Sequence, residues 1–429
     1  MKAVILAGGL GSRSLGFSEG KPKCLIEIGK RPILFHQFDL LRKARITDVL
    51  ILAGCGADQI VAAANRGYDF GLNVTVMQES RPLGTGGALM NAAPLLDDDF
   101  VLLFGDIFTS IEIGDVMDYH SAHYAQATLV LKPSSNYKDT LLFKVDEDDE
   151  IIAYGTADDY LPNLSFAGIA VCSRALLGNQ KVDKPCDFTN DIITKAIDNA
   201  IRPIFHNNAR QILGWKLREY AKDIGTTSGY SRAKRDYELG IFDCTYRGAV
   251  FLDRDGVINK LDASLKFVNN PEEFIPEQHL AASVNVLHNL GFKVIVVTNQ
   301  GGIELGYLTE DVLQTIHSKL HRYLSFDNED FQHEYVDGIY YCPHFYELCN
   351  CRKPKPGMLE EAMSDLYINP LKSWMVGDCI TDLEAGTNLC EDVKTVLISE
   401  GEESDIADFQ FPSLFHFAKY MKQNNITAI

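Results

Sequence analysis

The sequence predicts an α/β protein of two domains, each built on a mostly parallel, doubly wound sheet. Three observations carry this expectation. Short apolar runs alternate with stretches of helical period through both halves of the chain. The strongest runs end in glycine loops or carboxylates, as parallel strands do where open sheets hold their ligands. The chain has 429 residues, too many for one ordinary core.

Composition narrows the partners. With 46% hydrophobic residues, each half can bury a sizeable core. The net charge of −19 argues against nucleic acid or an anionic membrane as partner. It leaves room for phosphorylated small molecules, because a local group of Lys, Arg and metal outweighs the global field. No apolar run approaches a membrane span, and Met1 leads straight into a strand. A cytoplasmic protein with small-molecule substrates is expected, with a homo-oligomer left open.

In chain order, Lys2 to Ala7 reads as a strand, followed at once by Gly8-Gly-Leu-Gly-Ser-Arg13. Gly8, Gly9 and Gly11 can bring backbone N–H groups against phosphates, with Arg13 and then Lys23 adding positive charge. Pro32 to Ala44 reads as a helix, Asp48 to Ala53 as a strand, Ala57 to Gly67 as a helix and Leu72 to Met77 as a strand. Leu83-Gly84-Thr-Gly-Gly opens a helix running towards Ala93. Phe100 to Phe104 is a core strand ending in Gly105-Asp106, a carboxylate whose desolvation calls for a cation. Much later, Asp223-Ile-Gly-Thr-Thr-Ser opens a helix ending near Leu239.

As an ordered set, Ala7-Gly-Gly-Leu-Gly-Ser-Arg13, Pro22-Lys23, Leu83-Gly-Thr-Gly-Gly, Gly105-Asp106, Ser165-Phe-Ala-Gly168 and Asp223-Ile-Gly-Thr resemble the sugar-1-phosphate nucleotidylyltransferases. Among these the mannose- and heptose-1-phosphate guanylyltransferases are most similar. The resemblance covers residues 1–235 and implies a GT-A-like, mixed Rossmann-type domain. It further implies in-line attack of a sugar 1-phosphate on the α-phosphate of an NTP, chemistry that needs positioning and charge stabilisation. The glycine amides with Arg13 and Lys23 would hold the triphosphate. Asp106 and Asp223 would bind Mg²⁺, and Glu79 and Gly84 would contact the nucleotide. Three places depart from the family: Ser14-Leu-Gly-Phe follows Arg13, Thr226-Thr-Ser-Gly replaces Thr-Pro-Glu, and Tyr154-Gly-Thr-Ala-Asp stands where relatives carry a phosphate-binding Glu-Lys-Pro.

Residues 236–246 form a close linker without a Pro/Ser-rich spacer, and residues 247–429 form the second domain. Gly248-Ala-Val-Phe-Leu is a buried strand that delivers Asp253 and Asp255, two carboxylates suited to a nucleophile and an acid/base. Gly256 lets the chain turn sharply behind them. Lys293 to Val297 is a core strand ending in Thr298-Asn299-Gln-Gly-Gly, where a hydroxyl and free amides can meet a phosphate. Arg352 and Lys353 add positive charge, and Trp374 to Val376 lead into Gly377-Asp378-Cys-Ile-Thr-Asp382. Four such clusters at strand ends make a phosphoryl-transfer site.

This half resembles the haloacid dehalogenase (HAD) phosphatases, and the resemblance assigns the roles. Asp253 becomes the nucleophile, Asp255 the acid/base, and Thr298, Asn299, Arg352 and Lys353 the phosphate ligands. Mg²⁺ would sit on Asp253, Asp255 and Asp378, with Asp382 supporting from behind. Of ten cysteines, Cys342, Cys349 and Cys351 cluster with His344, a donor set for structural Zn²⁺ in a reduced compartment. That pattern is similar to the heptose-bisphosphate phosphatases and also to the histidinol-phosphate phosphatases. No stretch is long enough for a separate cap, so a capless HAD-like domain with a zinc loop is expected. Together the halves imply consecutive steps: dephosphorylation of D-glycero-D-manno-heptose 1,7-bisphosphate at C7, then transfer of a nucleotidyl group, GMP from GTP, to the 1-phosphate. The same two reactions on another phosphorylated sugar or polyol, or a histidinol-phosphate-type phosphatase fused to a sugar-nucleotide-binding domain, remain open.

Overall fold

The computed structural model describes residues 1–8, 20–134, 136–137, 140–156, 159, 162–178, 184–201, 211–261, 268–325, 334–346, 349–401, 405 and 407–429. The chain divides into two compact units. The first comprises Met1–Lys132, Phe143–Tyr154 and Ser165–Asp243. The second comprises Pro133–Leu142, Gly155–Leu164 and Cys244–Ile429. Two short segments from the first half of the sequence thus cluster with the second unit.

The first unit is built on a sheet with strands in the order Ile151–Gly155, Leu142–Val145, Ser165–Ser173, Asp99–Phe104, Lys2–Ala7, Asp48–Ala53 and Asn73–Gln78. The Lys2–Ala7 strand pairs in parallel with both neighbours. Val4 and Ile5 are fully buried, as an apolar run covered on both faces should be. Pro32 precedes the Ile33–Lys43 helix, whose Leu34, Phe38 and Leu41 recur at helical spacing and bury against the sheet.

The sheet is mixed, as the family resemblance implies, with more antiparallel pairing than the alternation of elements alone suggests. Ser165–Ser173 runs antiparallel to Asp99–Phe104 and to Ala127–Lys132. The cause is local. Between residues 127 and 173 strand follows strand with no α-helix among the described residues, and a parallel pairing needs a long crossover. The register shifts between Phe166 and Ala170, where Gly168 has φ +78° and a Cβ would lie 2.7 Å from Ile107. Only glycine fits there. A separate two-stranded ribbon pairs Ala221–Asp223 with Ile107–Thr109 and sets Asp223 opposite Ile107.

The second unit holds six parallel strands in the order Gly338–Cys342, Lys293–Asn299, Ala249–Leu252, Trp374–Gly377, Lys394–Ile398 and Phe409–Phe411. Alternation along the strands decides the layers. Val250, Leu252, Val294 and Val296 pack with the Leu280–Asn289, Glu310–Ser325 and Leu414–Gln423 helices. Ala249, Phe251, Ile295 and Val297 pack with the Gly357–Leu366 and Ile380–Leu389 helices. The chain leaves the Ala249–Leu252 strand in opposite directions, so its carboxyl end is a topological switch point. Among the described residues no helix is long and apolar enough to cross a membrane.

A buried ion-pair network braces this unit away from the switch point. His288 Nδ1 meets Glu334 at 2.9 Å and Nε2 meets Asp337 at 3.1 Å. Asn285 also donates to Glu334, and the Val294 N–H donates to Asp337. The Tyr335 ring lies 4.7 Å from the imidazole, and the Arg247 charge acts on Asp337. Burial alone would lower the His288 pKa, but bonds to Asp337 and Glu334 outweigh it and raise it overall. A raised histidine pKa stabilises fully below the unfolded value, about 6.5, and that contribution fades as pH rises through the folded value. His288→Gln is therefore expected to cost about 3 kcal/mol near pH 6, because it strands buried carboxylates. Denaturant midpoints at pH 6 and pH 9 check this, since the gap to wild type should narrow at the higher pH. An equal gap at both would contradict the assignment.

Candidate active sites

In the first unit the ribbon decides the geometry. The Asp99–Phe104 strand ends at Asp106, and the Ile224 N–H donates to the Asp106 carbonyl at 3.0 Å. Asp223 is thereby brought beside Asp106 from far along the chain. Lys23 Nζ lies 2.9 Å from Asp106 Oδ2. A Cβ on Gly225 would fall 2.8 Å from Lys23 Nζ, 2.9 Å from Asp223 Oδ1 and 3.4 Å from Asp106 Oδ2. The lysine and both carboxylates therefore converge on one point. Burial, then the nearby Asp106 charge, pushes the Asp223 carboxyl above its ordinary pKa. Two carboxylates this close favour a further cation between them.

Beside it opens a cavity of about 280 Å³ lined by Gly8, Lys23, Glu79, Gly84, Thr85 and Asp106, among others. Glu79 is raised in pKa by burial, and its Oε2 would lie 3.5 Å from a Cβ on Gly8. Gly84 has φ +75° and packs against the Cys186 carbonyl. The amides of Gly86 and Gly87, in the helix that Gly84 opens, donate to that carbonyl, so they are taken up within the protein. Gly9, Gly11 and Arg13 lie outside the described residues.

In the second unit the parallel strands carry Asp253, Thr298 and Asp378 to one edge of the sheet. Asp253 and Lys353 are both buried and joined by a hydrogen bond. Lys353 Nζ also reaches Asp382 at 2.6 Å and the Val297 carbonyl at 2.9 Å. Burial raises the Asp253 pKa, the negative charges of Asp382 and Asp255 add to this, and Lys353 opposes it. Asp378 Oδ2 sits where a Cβ on Gly256 would be, at 2.1 Å, so glycine is required at that turn. Asp378, Cys379 and Asp382 bring potential ligand atoms within 4.8 Å of one another.

Two other expected phosphate ligands are engaged elsewhere. The Asn299 amide both accepts from the Lys353 N–H and donates to the Lys353 carbonyl, at 3.0 and 3.1 Å. Arg352 donates to the His344 carbonyl at 2.9 Å and lies over the Phe345 ring. Asn299 fixes the lysine backbone, and Arg352 fixes the Cys/His loop.

Sequence reasoning missed two residues. Arg254 is fully buried and grips Asp255 with two bonds, Nε to Oδ1 at 3.0 Å and Nη2 to Oδ2 at 2.7 Å. Gln300 Nε2 bridges Thr298 Oγ1 at 2.9 Å and Asp255 Oδ2 at 3.3 Å. The available signal for Arg254 was an arginine between two aspartates at the end of a buried strand.

The Cys342, His344, Cys349 and Cys351 donor atoms all lie within 4.8 Å of one another. Sulfur–sulfur separations are 3.2 and 3.6 Å, and the His344 Nδ1 contacts to sulfur are 3.4 and 3.6 Å. A tetrahedral zinc with bonds near 2.3 Å sets its sulfurs about 3.8 Å apart. The donors fit that ion in number and type, and they lie close enough together for one ion to reach all four.

A known family matches a stretch in each half of the chain. A nucleotidyl transferase family model matches residues 2–155, and a HAD-hydrolase-like model matches residues 350–413. The chain is 35% identical over 185 residues to a D-glycero-β-D-manno-heptose-1,7-bisphosphate 7-phosphatase of Neisseria meningitidis, 41% of this chain and 95% of that protein. It is 36% identical over 193 residues to the Escherichia coli K12 phosphatase of the same name, 42% of this chain and 96% of that protein. Among solved structures, HddC from Yersinia pseudotuberculosis shares 21% identity with a TM-score of 0.44, covering 55% of this chain and 99% of that one. The chain is a bifunctional enzyme that belongs, through its second half, to the D-glycero-β-D-manno-heptose-1,7-bisphosphate 7-phosphatase family of HAD phosphatases, and it carries a nucleotidyl transferase domain in its first half.

Proposed function

We propose that the two halves catalyse consecutive steps of nucleotide-activated heptose synthesis. The phosphatase removes the 7-phosphate of D-glycero-D-manno-heptose 1,7-bisphosphate, and the transferase then joins the heptose 1-phosphate to GMP from GTP. One observation carries this reading. The second half is 35% identical across 95% of a heptose-bisphosphate phosphatase, and a nucleotidyl transferase domain precedes it in the same chain. The product expected of one half is a sugar 1-phosphate, the substrate class expected of the other.

In the second half Asp253 attacks the phosphorus of the 7-phosphate and the bond to the C7 oxygen breaks. Asp255, held in place by Arg254 and Gln300, protonates the departing oxygen. It then takes a proton from the water that hydrolyses the aspartyl-phosphate. Thr298 and Lys353 steady the phosphoryl oxygens. Asp253, Asp255 through its carbonyl, and Asp378 would hold Mg²⁺, which when bound offsets the negative charge of nucleophile and phosphate.

In the first half a sugar-phosphate oxygen bonds to the α-phosphorus of GTP as the bond to pyrophosphate breaks. Gly8, Glu79 and Gly84 line the nucleotide cavity with Lys23, and Arg13, Gly9 and Gly11 are assigned to the triphosphate. Asp106 and Asp223 would hold a second Mg²⁺. The Cys/His cluster would hold a structural Zn²⁺.

The test is a coupled assay with wild-type protein, Mg²⁺, each NTP in turn, and both anomers of the heptose bisphosphate. One phosphate followed by one pyrophosphate per heptose, with GTP preferred, is expected. Phosphate release without NTP consumption would sink the transferase half of the reading. Failure of both anomers, with histidinol phosphate hydrolysed instead, would sink the heptose assignment. Metal analysis of the same sample should find about one zinc per chain, and its absence would remove the zinc assignment.

A further inference from the structure

Lys132 ends the Ala127–Lys132 strand and lies in register with Ser165. Its ammonium donates to the Ala221 carbonyl at 3.0 Å. Ala221 stands two residues before Asp223 in the ribbon that assembles the transferase site; burial and then the Lys222 charge disfavour the ammonium, and the Asp223 charge favours it. Among the described residues that carbonyl is its one hydrogen-bond partner, and no carboxylate pairs with it within 4 Å. An ammonium has three donors and no acceptor. Two N–H groups of a part-buried cation are thus left within the field of Asp223.

A counter-charge serving Asp223 alone would be paired to it directly, as Lys23 is to Asp106. Instead the two lysines are placed differently about the carboxylate pair. Lys23 lines the nucleotide cavity, whereas Lys132 is held at the Ala221 carbonyl of the ribbon that carries Asp223. Free ammonium donors beside a site that would hold a divalent cation favour a phosphate monoester. The stretch Tyr154-Gly-Thr-Ala-Asp also offers no lysine where the resemblance expects Glu-Lys-Pro.

We propose that Lys132 binds the phosphate of the sugar 1-phosphate in the transferase site. This rests on the reading of the first half as a sugar-1-phosphate nucleotidylyltransferase. The ammonium keeps its bond to Ala221 and donates its other protons to the phosphate that attacks the nucleotide. Lys132 is then specific to the sugar substrate and indifferent to the NTP.

Steady-state kinetics of Lys132→Met and Lys132→Arg test this, using heptose 1-phosphate and the NTP that the wild type consumes. Lys132→Met should raise KM for heptose 1-phosphate by about tenfold or more, while KM for the NTP stays within about twofold. Lys132→Arg should recover most of the loss. Phosphate release from the bisphosphate should match wild type and report that the chain is folded. An unchanged sugar-phosphate KM, or equal rises in both KM values, overturns the role of Lys132 alone. A wild type that transfers nucleotide to no sugar 1-phosphate overturns the transferase reading, and this inference with it.

Discussion

Asp253→Asn should lower phosphate release by about 10⁴-fold or more, while nucleotidyl transfer to supplied heptose 1-phosphate stays at the wild-type rate. Asparagine keeps the size of the side chain and removes the negative charge and lone-pair reactivity that attack phosphorus. The fold should tolerate the change. Lys353 loses one anionic partner but keeps Asp382 at 2.6 Å and the Val297 carbonyl at 2.9 Å. Burial already disfavours the Asp253 carboxylate, so neutralising it relieves a cost as well as removing an attraction. Phosphate release and transfer measured on one preparation, with thermal unfolding alongside, separate chemistry from folding. More than about 1% residual activity in a variant that melts like wild type would exclude Asp253 as nucleophile.

What was legible beforehand was what short segments determine. Strands such as Lys2–Ala7 and Asp48–Ala53 were read at their observed bounds, because their apolar runs are uninterrupted and end in glycine or turn residues. The carboxylates at the ends of the second unit's strands followed from the parallel sheet alone. The parts that could not be read depend on distant pairing. Nothing in the spacing of Asp106 and Asp223 says that a three-residue ribbon unites them. The antiparallel Ser165–Ser173 strand was missed although a clue existed, since no helical stretch precedes it to carry a crossover.

Arg254 shows a different limit. A charged side chain is ordinarily assigned to solvent, yet this one is fully buried with Nε and Nη2 bonded to Asp255. Lys132 was equally silent, being simply the polar end of an apolar strand. Asn299 and Arg352 sit in the right loops, but hydrogen bonds that only the folded loops disclose engage them with Lys353 and His344. Residue type and position located the sites, while orientation within them came from tertiary contacts.

Asp223→Asn should lower nucleotidyl transfer by about 10³-fold, the several kcal/mol that a metal-held transition state loses with one carboxylate. Phosphate release should be unaffected. Stability should hold or rise, which is the decisive part. Asp223 is pushed up in pKa by burial and by Asp106, so two negative charges are confined together, with Lys23 paired to Asp106. The Gly225 N–H donates to Asp223 Oδ1 at 2.5 Å, and an asparagine carbonyl can accept the same bond, so the ribbon and the turn at Gly225 keep their shape. Removing one charge then relaxes repulsion in the free protein while weakening the grip on Mg²⁺, the trade-off expected of a site strained for function. Transfer rates across a Mg²⁺ titration, with melting temperatures taken without added Mg²⁺, read both effects at once. A variant that needs more Mg²⁺ and melts no lower than wild type fits a metal ligand. Lost stability with transfer retained would make Asp223 a structural carboxylate and leave Asp106 and Lys23 to carry the charge of the reaction.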